Sequence, residues 1–182
     1  MASIRLEEQG DAGAVEALVA AAFGPGRFAK SAYRLREGVY PVAGLSCVAE
    51  LNGRVVGTVR YWPVAIGTTP GLMLGPIAVE RALQGQGIAL SLMQASLEAA
   101  RALGHRVVIL VGDEPYYARA GFSRVMPAGS VTMPGPVDPA RLLWLALAEG
   151  ALENVAGDVR KIQLDEKVTA LGAALSPLAS PA

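Results

Sequence analysis

The stretch Gln84-Gly85-Gln86-Gly87-Ile88-Ala89-Leu90 sets two glycines between an apolar run and a helix-forming pattern. A chain that leaves a strand and enters a helix exposes N–H groups without intrahelical partners, and the helix dipole adds positive potential there. An anion such as a phosphate is welcome at that corner, and glycines let it approach without meeting a Cβ. Further on, Asp113, Glu114, Tyr116 and Tyr117 follow a second apolar run. Their carboxylates and phenols are groups that can carry a proton during a reaction.

Three uses of such a corner compete. A P-loop needs a lysine directly after its last glycine, and Ile88 follows Gly87, so nucleoside triphosphate hydrolysis is disfavoured. A dinucleotide fingerprint needs a third glycine where this chain has Leu90, although Asp113 at the end of the next apolar run keeps that reading open. The third use is to hold the pyrophosphate of coenzyme A.

Other chemistry-bearing side chains read as structural. Cys47 is the only cysteine, so no intramolecular disulfide can form, and in its alternating surroundings it is expected to be a small buried hydrophobe. His105 is the only histidine, which argues against a Cys/His zinc site; beside Gly104 it suits a helix C-terminus as a favourable charge. Trp62 and Trp144 are expected to anchor the core, and Tyr116 to fill it. No metal is expected.

The chain around these residues has 182 residues, 52% hydrophobic and 18% charged, enough for one domain with a core. Lys plus Arg and Asp plus Glu are both 16, so no basic excess points to nucleic acid or a membrane surface. Acids near the amino terminus stand where a signal peptide needs apolar residues, and no run reaches the length of a membrane span. These features suggest a reduced, cytoplasmic protein.

The elements that would position the corner follow from periodicity and turn chemistry. Asp11 is a candidate cap for a helix with Val15, Leu18, Val19, Ala22 and Phe23 on one side, stopped by Gly24-Pro25-Gly26. A second helix is expected over 28–37. The loop between them carries a cation and an aromatic, Arg27 and Phe28, which could line a substrate entrance. Asn52-Gly53 should turn a hairpin between strands 45–51 and 55–62, with a long loop following up to Gly71. The nearly all-apolar runs 72–79 and 107–111 suit buried strands. A helix over 87–103, with Ile88, Leu92, Ala95, Ala99 and Leu103 inward, would join them as a right-handed crossover between parallel strands. Later strands are expected at 142–148 and 159–164. The charge-free end suggests a flexible tail at 166–182 after a domain at 1–165.

The pattern I-A-V-(x)4-Q-G-Q-G-I-A from Ile77, followed by Pro115-Tyr116-Tyr117-Ala118-Arg119-Ala120-Gly121-Phe122, resembles the GNAT superfamily of acyl-CoA N-acyltransferases. The family signature Q/R-x-x-G-x-G/A is matched by Gln84, Gly87 and Ala89, and a later F/Y-Y-x-x-x-G-F element by Tyr116, Tyr117, Gly121 and Phe122. The likeness covers residues 4–122, and residues 133–140 with the strands after them are similar to the bacterial YhbS-like branch.

The resemblance implies an α/β fold, a mixed and mostly antiparallel central sheet with a splayed parallel strand pair flanked by helices. It implies acetyl-CoA as cosubstrate, its pantetheine arm along Ile77, Ala78 and Val79. The diphosphate would lie at Gln84, Gly85, Gln86, Gly87, Ile88, Ala89 and Leu90. Tyr117 would give a proton to the departing thiolate. The acceptor would be an amine of a small molecule or protein, with Arg27 and Phe28 as weak candidates to touch it, and a homodimer is compatible. Many members carry a glutamate on the first splayed strand; residues 72–79 contain no carboxylate, so no base is assigned, and Glu80, Asp113 and Glu114 lie only nearby. A non-catalytic acyl-CoA-binding or regulatory module and a dinucleotide-binding protein stand as alternatives.

Overall fold

The computed structural model describes residues 2–29 and 31–163, and its centre is a mixed sheet built from hairpins. At one edge β1 (Ser3–Leu6) lies antiparallel to β2 (Cys47–Leu51). Asn52 and Gly53 take φ of 53° and 72°, the two positive values a tight hairpin turn requires, and lead into β3 (Arg54–Ile66). β3 does not stop at Trp62. It runs on to Ile66, and Gly67, at φ 57°, turns it with Thr68 into β4 (Thr69–Val79), so the loop expected up to Gly71 is a second hairpin. Pro63 and Pro70 suggested a loop, but pairing across the hairpin holds both in strand.

A crossover helix leads from β4 to the parallel strand β5 (Val107–Val111), and β8 (Leu142–Ala146) then pairs antiparallel with β5. Short β6 (Ser123–Arg124) closes that side, giving the order β1-β2-β3-β4-β5-β8-β6. β9 (Gly157–Lys161) pairs with the far end of β3 and with β7 (Val131–Thr132). The expected strand 159–164 is thus β9, which starts two residues earlier and ends at Lys161, with position 164 outside the described residues; the tail proposed at 166–182 also lies outside them.

Alternation along β5 sends Val108 and Leu110 to one face, Val107 and Ile109 to the other, and all four are buried. The first face is covered by α3 (Ile88–Ala102), placed here after α1 (Ala12–Phe23) and α2 (Ser31–Arg34). α3 buries Leu92, Met93, Ser96, Leu97 and Ala100, a stripe rotated from the expected one; Leu103 is 44% exposed. Ser96 conceals that stripe in the sequence. Its hydroxyl reaches Leu92 O at 2.7 Å and Tyr61 Oη at 2.8 Å, so a polar residue sits satisfied in the core. Gly104 ends the helix at φ 81°, with Gly104 N–H donating to Arg101 O and His105 N–H to Ala100 O, a Schellman cap.

The helix expected over 28–37 is a 3₁₀ segment, Pro25–Ala29, and the single turn α2. Tertiary anchors fix it there: Ser31 Oγ donates to Pro136 O at 3.1 Å, and an Arg34 nitrogen to Pro134 O at 2.9 Å. Those bonds hold the chain after α1 against the segment around Pro136. α1 itself packs Val15 and Val19 on Val48 and Ala78, with Phe23 38% exposed.

Candidate functional site

β4 and β5 pair at only two positions, Leu72 with Val108 and Met73 with Ile109. Beyond Met73 the strands part. On the β3 side, Val59 stands opposite Ile77 and Tyr61 opposite Leu74, so Gly75 and Pro76 together face Arg60 and form a bulge. Gly75 takes φ 125°, and its carbonyl accepts from Trp62 Nε1 at 2.6 Å. Where the strands part lies a cavity of about 450 Å³. Leu74, Gly75 and Ile77 line it from β4, Val111 from β5, and Tyr117 from the short helix α4 (Glu114–Tyr117). Residues of the α1–α2 region and of the segment 136–138 make its outer wall.

The open edge of β4 follows from strand alternation. Glu80 N–H donates to Val56 O at 2.8 Å, toward β3. Two residues back, Ala78 faces β3 as well, so Ile77 and Val79 turn their main-chain groups to the splayed side. Gln84 Nε2 donates to Val79 O at 3.2 Å and ties the glycine corner to the end of this edge.

At the corner, Gly85 takes φ 79° and Gly87, the residue capping α3, φ 83°. A Cβ at either would meet nothing within 4 Å, so glycine serves the backbone turn and leaves the outer side open. The first α3 bond from beyond the corner is Ser91 N–H to Gly87 O at 3.0 Å. The N–H groups of Ile88, Ala89 and Leu90 therefore have no intrahelical acceptor, no side chain caps them, and no acid occupies the first turn. Gln84, Gly85, Gln86 and Gly87 lie at the surface. An anion could take up these donors.

Tyr117 is partly buried, edge-on to Tyr116 at 5.2 Å and to Phe122 at 6.1 Å between ring centroids. Burial, helped by Tyr116 and Asp113, pushes its phenol up to about 12. Its hydroxyl donates to no other described residue. Tyr116 does not fill the core: it is 39% exposed and serves as a wall for Tyr117. Gly112 gives the Tyr117 ring its space, which no sequence motif signalled.

The three nearby carboxylates do not line the cavity. Each is ion-paired: Glu80 with Arg54 at 3.0 Å, Asp113 with Arg141 at 3.2 Å, Glu114 with Arg124 at 2.6 Å. The acid that does line it is Asp138, whose Oδ1 accepts from Ala140 N–H at 2.9 Å. Arg27 reaches the lining, its cation 4.2 Å from the Phe28 ring centre; Phe28 is 49% exposed behind it, edge-on to Tyr33. Arg36 also lines the cavity, a residue passed over in the sequence because nothing there showed it buried.

Burial lowers the His105 imidazole, which works against the helix-end charge expected of it, and raises the Cys47 thiol. Among the described residues no group of three or more His, Cys, Asp or Glu side chains could hold a metal ion. No described helix is long and apolar enough to cross a membrane.

A family model described as the acetyltransferase (GNAT) family matches residues 14–122. The uncharacterized N-acetyltransferase YhbS of Escherichia coli (strain K12) is 32% identical over 121 residues, 65% of this chain and 72% of that protein. The crystal structure of Escherichia coli YhbS in complex with CoA superposes with a TM-score of 0.75 at 30% identity, covering 88% of this chain and 89% of that one. A GNAT family acetyltransferase from Brucella melitensis, solved with acetyl-CoA, gives 0.67 at 29% identity over 89% and 96%. The family match spans the splayed strands, the glycine corner and the tyrosine element alike, and with these relatives it shows that the chain belongs to the GNAT family of acetyltransferases.

Proposed function

We propose that this protein transfers an acetyl group from acetyl-CoA to an amine. The observation that carries the reading is the conjunction of an open β4 edge, an uncovered helix mouth and a cavity between the splayed strands with Tyr117 in its wall. The pantetheine arm would pair with Ile77 and Val79, and the diphosphate would take the amides from Gly85 to Leu90. Structural relatives bound to CoA and acetyl-CoA support this placement. They favour it over the dinucleotide alternative, for which Leu90 fills the third glycine's place.

The amine nitrogen attacks the thioester carbonyl, a C–N bond forms, the C–S bond breaks, the thiolate takes a proton from the Tyr117 hydroxyl, and the proton shed by the acylated nitrogen restores the phenol through solvent. Burial keeps that hydroxyl protonated at neutral pH. A lysine-like amine of pKa about 10.4 costs about 4.6 kcal/mol to deprotonate at pH 7. With Glu80, Asp113 and Glu114 paired outside the cavity, the one acid of its lining among the described residues is Asp138, which already accepts from Ala140 N–H. The arrangement suits an acceptor amine of low pKa.

Acetyl-CoA titration by calorimetry and a thiol-release screen of amines test the proposal. Tyr117→Phe should keep acetyl-CoA affinity and lose turnover by about 100-fold or more. Tight acetyl-CoA binding with no thiol release from any amine would make the protein a binding module instead.

A further inference from the structure

Three guanidiniums line the cavity, and two are already engaged. Arg27 donates to Gly24 O at 2.8 Å and lies over the Phe28 ring. Arg141 stands 3.2 Å from Asp113. Arg36 differs: its Nε is sealed from solvent without a partner, and no nitrogen of its guanidinium donates a hydrogen bond to another described residue. Leaving the buried Nε donor of a charged group unsatisfied is costly, so folding alone gives little reason to keep it.

The fold nevertheless holds Arg36 in place. Its backbone N–H donates to Tyr33 O at 2.9 Å, closing the turn after α2, and Leu35 beside it is buried. One terminal nitrogen lies against the β4 bulge, where a Cβ added at Gly75 would stand 3.0 Å from it. Glycine at 75 therefore leaves room for the guanidinium at the splay itself. Loss of hydration lowers Arg36 to about 10, with Tyr33 opposing, and it stays charged at neutral pH. The acid of the same lining, Asp138, already accepts from Ala140. The wall as a whole is short of negative charge.

A guanidinium offers parallel N–H donors that match the two oxygens of a carboxylate. We infer that Arg36 receives a carboxylate of the acyl acceptor, which is therefore a small amine that also carries a carboxylate. This rests on the reading of the cavity as the acceptor chamber, and gives that chamber a substrate class.

The test uses matched pairs: L-amino acids and dipeptides, each against its C-terminal amide, with acetyl-CoA and thiol release as readout. Wild type should favour the free acids by on the order of 100-fold in kcat/KM. Arg36→Gln should abolish that preference with acetyl-CoA affinity unchanged, and Arg36→Lys should restore part of it. Because the charge lacks a partner in the ligand-free protein, Arg36→Gln should melt no lower than wild type, which a purely structural arginine would not allow. Calorimetry of the same acids and amides, with and without CoA, reads carboxylate recognition even if no member of the panel is acetylated. Equal handling of acids and amides by wild type in both assays, or a preference that survives in Arg36→Gln, overturns the inference. Failure to bind acetyl-CoA would instead strike the acetyltransferase proposal, and the calorimetric comparison would still decide on Arg36.

Discussion

The Tyr117 ring occupies the space that a side chain at Gly112 would need: a Cβ there would overlap ring carbon Cε2. Gly112 ends the run of β5, and Tyr117 stands one helical turn later, so a backbone without a side chain lets the phenol turn into the splay. Gly112→Ala should displace the ring and cost about 1–3 kcal/mol of stability, as overpacking does. With Tyr117 as the proposed proton donor, turnover should fall by at least about tenfold, since a misplaced donor acts poorly. Acetyl-CoA affinity should hold, because the glycine corner proposed for the diphosphate is elsewhere. Steady-state kinetics beside calorimetry checks the split, and unchanged turnover would show that Tyr117's position does not matter.

The phenol of Tyr117 is raised to about 12, first by burial and then by Tyr116 and Asp113. A raised phenol keeps its proton above the ordinary value near 10 and loses it only as pH climbs through about 12. If Tyr117 is the donor, kcat should show no alkaline fall near pH 10. A limb at that pH in wild-type kcat, assigned to a tyrosine, would point to a different and less buried group.

Parts of this architecture were plain from local chemistry. Asn52-Gly53 fixed a hairpin because few other pairs accept two positive φ values. The apolar runs of β4 and β5 told of burial on both faces. What stayed hidden depended on partners distant in the chain. Pro63 and Pro70 look like loop residues until β4 pairs with β3 around them. Ser96 looks exposed until Tyr61 meets it. Arg36 carries the same charge in the sequence as any surface arginine, and only the bulge at Gly75 and the turn after α2 reveal that it faces a cavity. Local rules cannot see that.

Asp11 holds the amino-terminal strand to the first helix. Two nitrogens of Arg5 reach its oxygens at 2.6 and 2.9 Å, and Glu8 N–H adds a third bond at 2.8 Å. Arg5 draws its carboxyl down to about 2. The folded value lies below the unfolded one, so the stabilisation is complete above about pH 4 and fades as pH falls toward 2. Asp11→Asn should therefore lower the melting temperature at pH 7, by the equivalent of about 1–2 kcal/mol. The gap from wild type should close as the pH drops through that window in thermal melts. A gap that stays constant down to pH 2 would mean that the Arg5 pairing contributes nothing.

Gly87 tests the anion corner without disturbing the sheet. Its φ of 83° disfavours most side chains, but Asn and Asp tolerate the left-handed region better than others, and there is open space around its position. Gly87→Asn should thus keep the turn and change acetyl-CoA affinity modestly. Gly87→Asp has nearly the same shape and adds a negative charge beside the amides of Ile88, Ala89 and Leu90. Its carboxylate would compete for those donors and repel a diphosphate. Putting like-charge repulsion in place of a charge-assisted hydrogen bond costs about 2–3 kcal/mol, so affinity should fall by about 30- to 150-fold relative to Gly87→Asn. Raising the salt concentration should narrow that difference, because the repulsion at an exposed corner is screened. If the two variants bind acetyl-CoA equally well at low salt, the diphosphate does not sit on the mouth of α3.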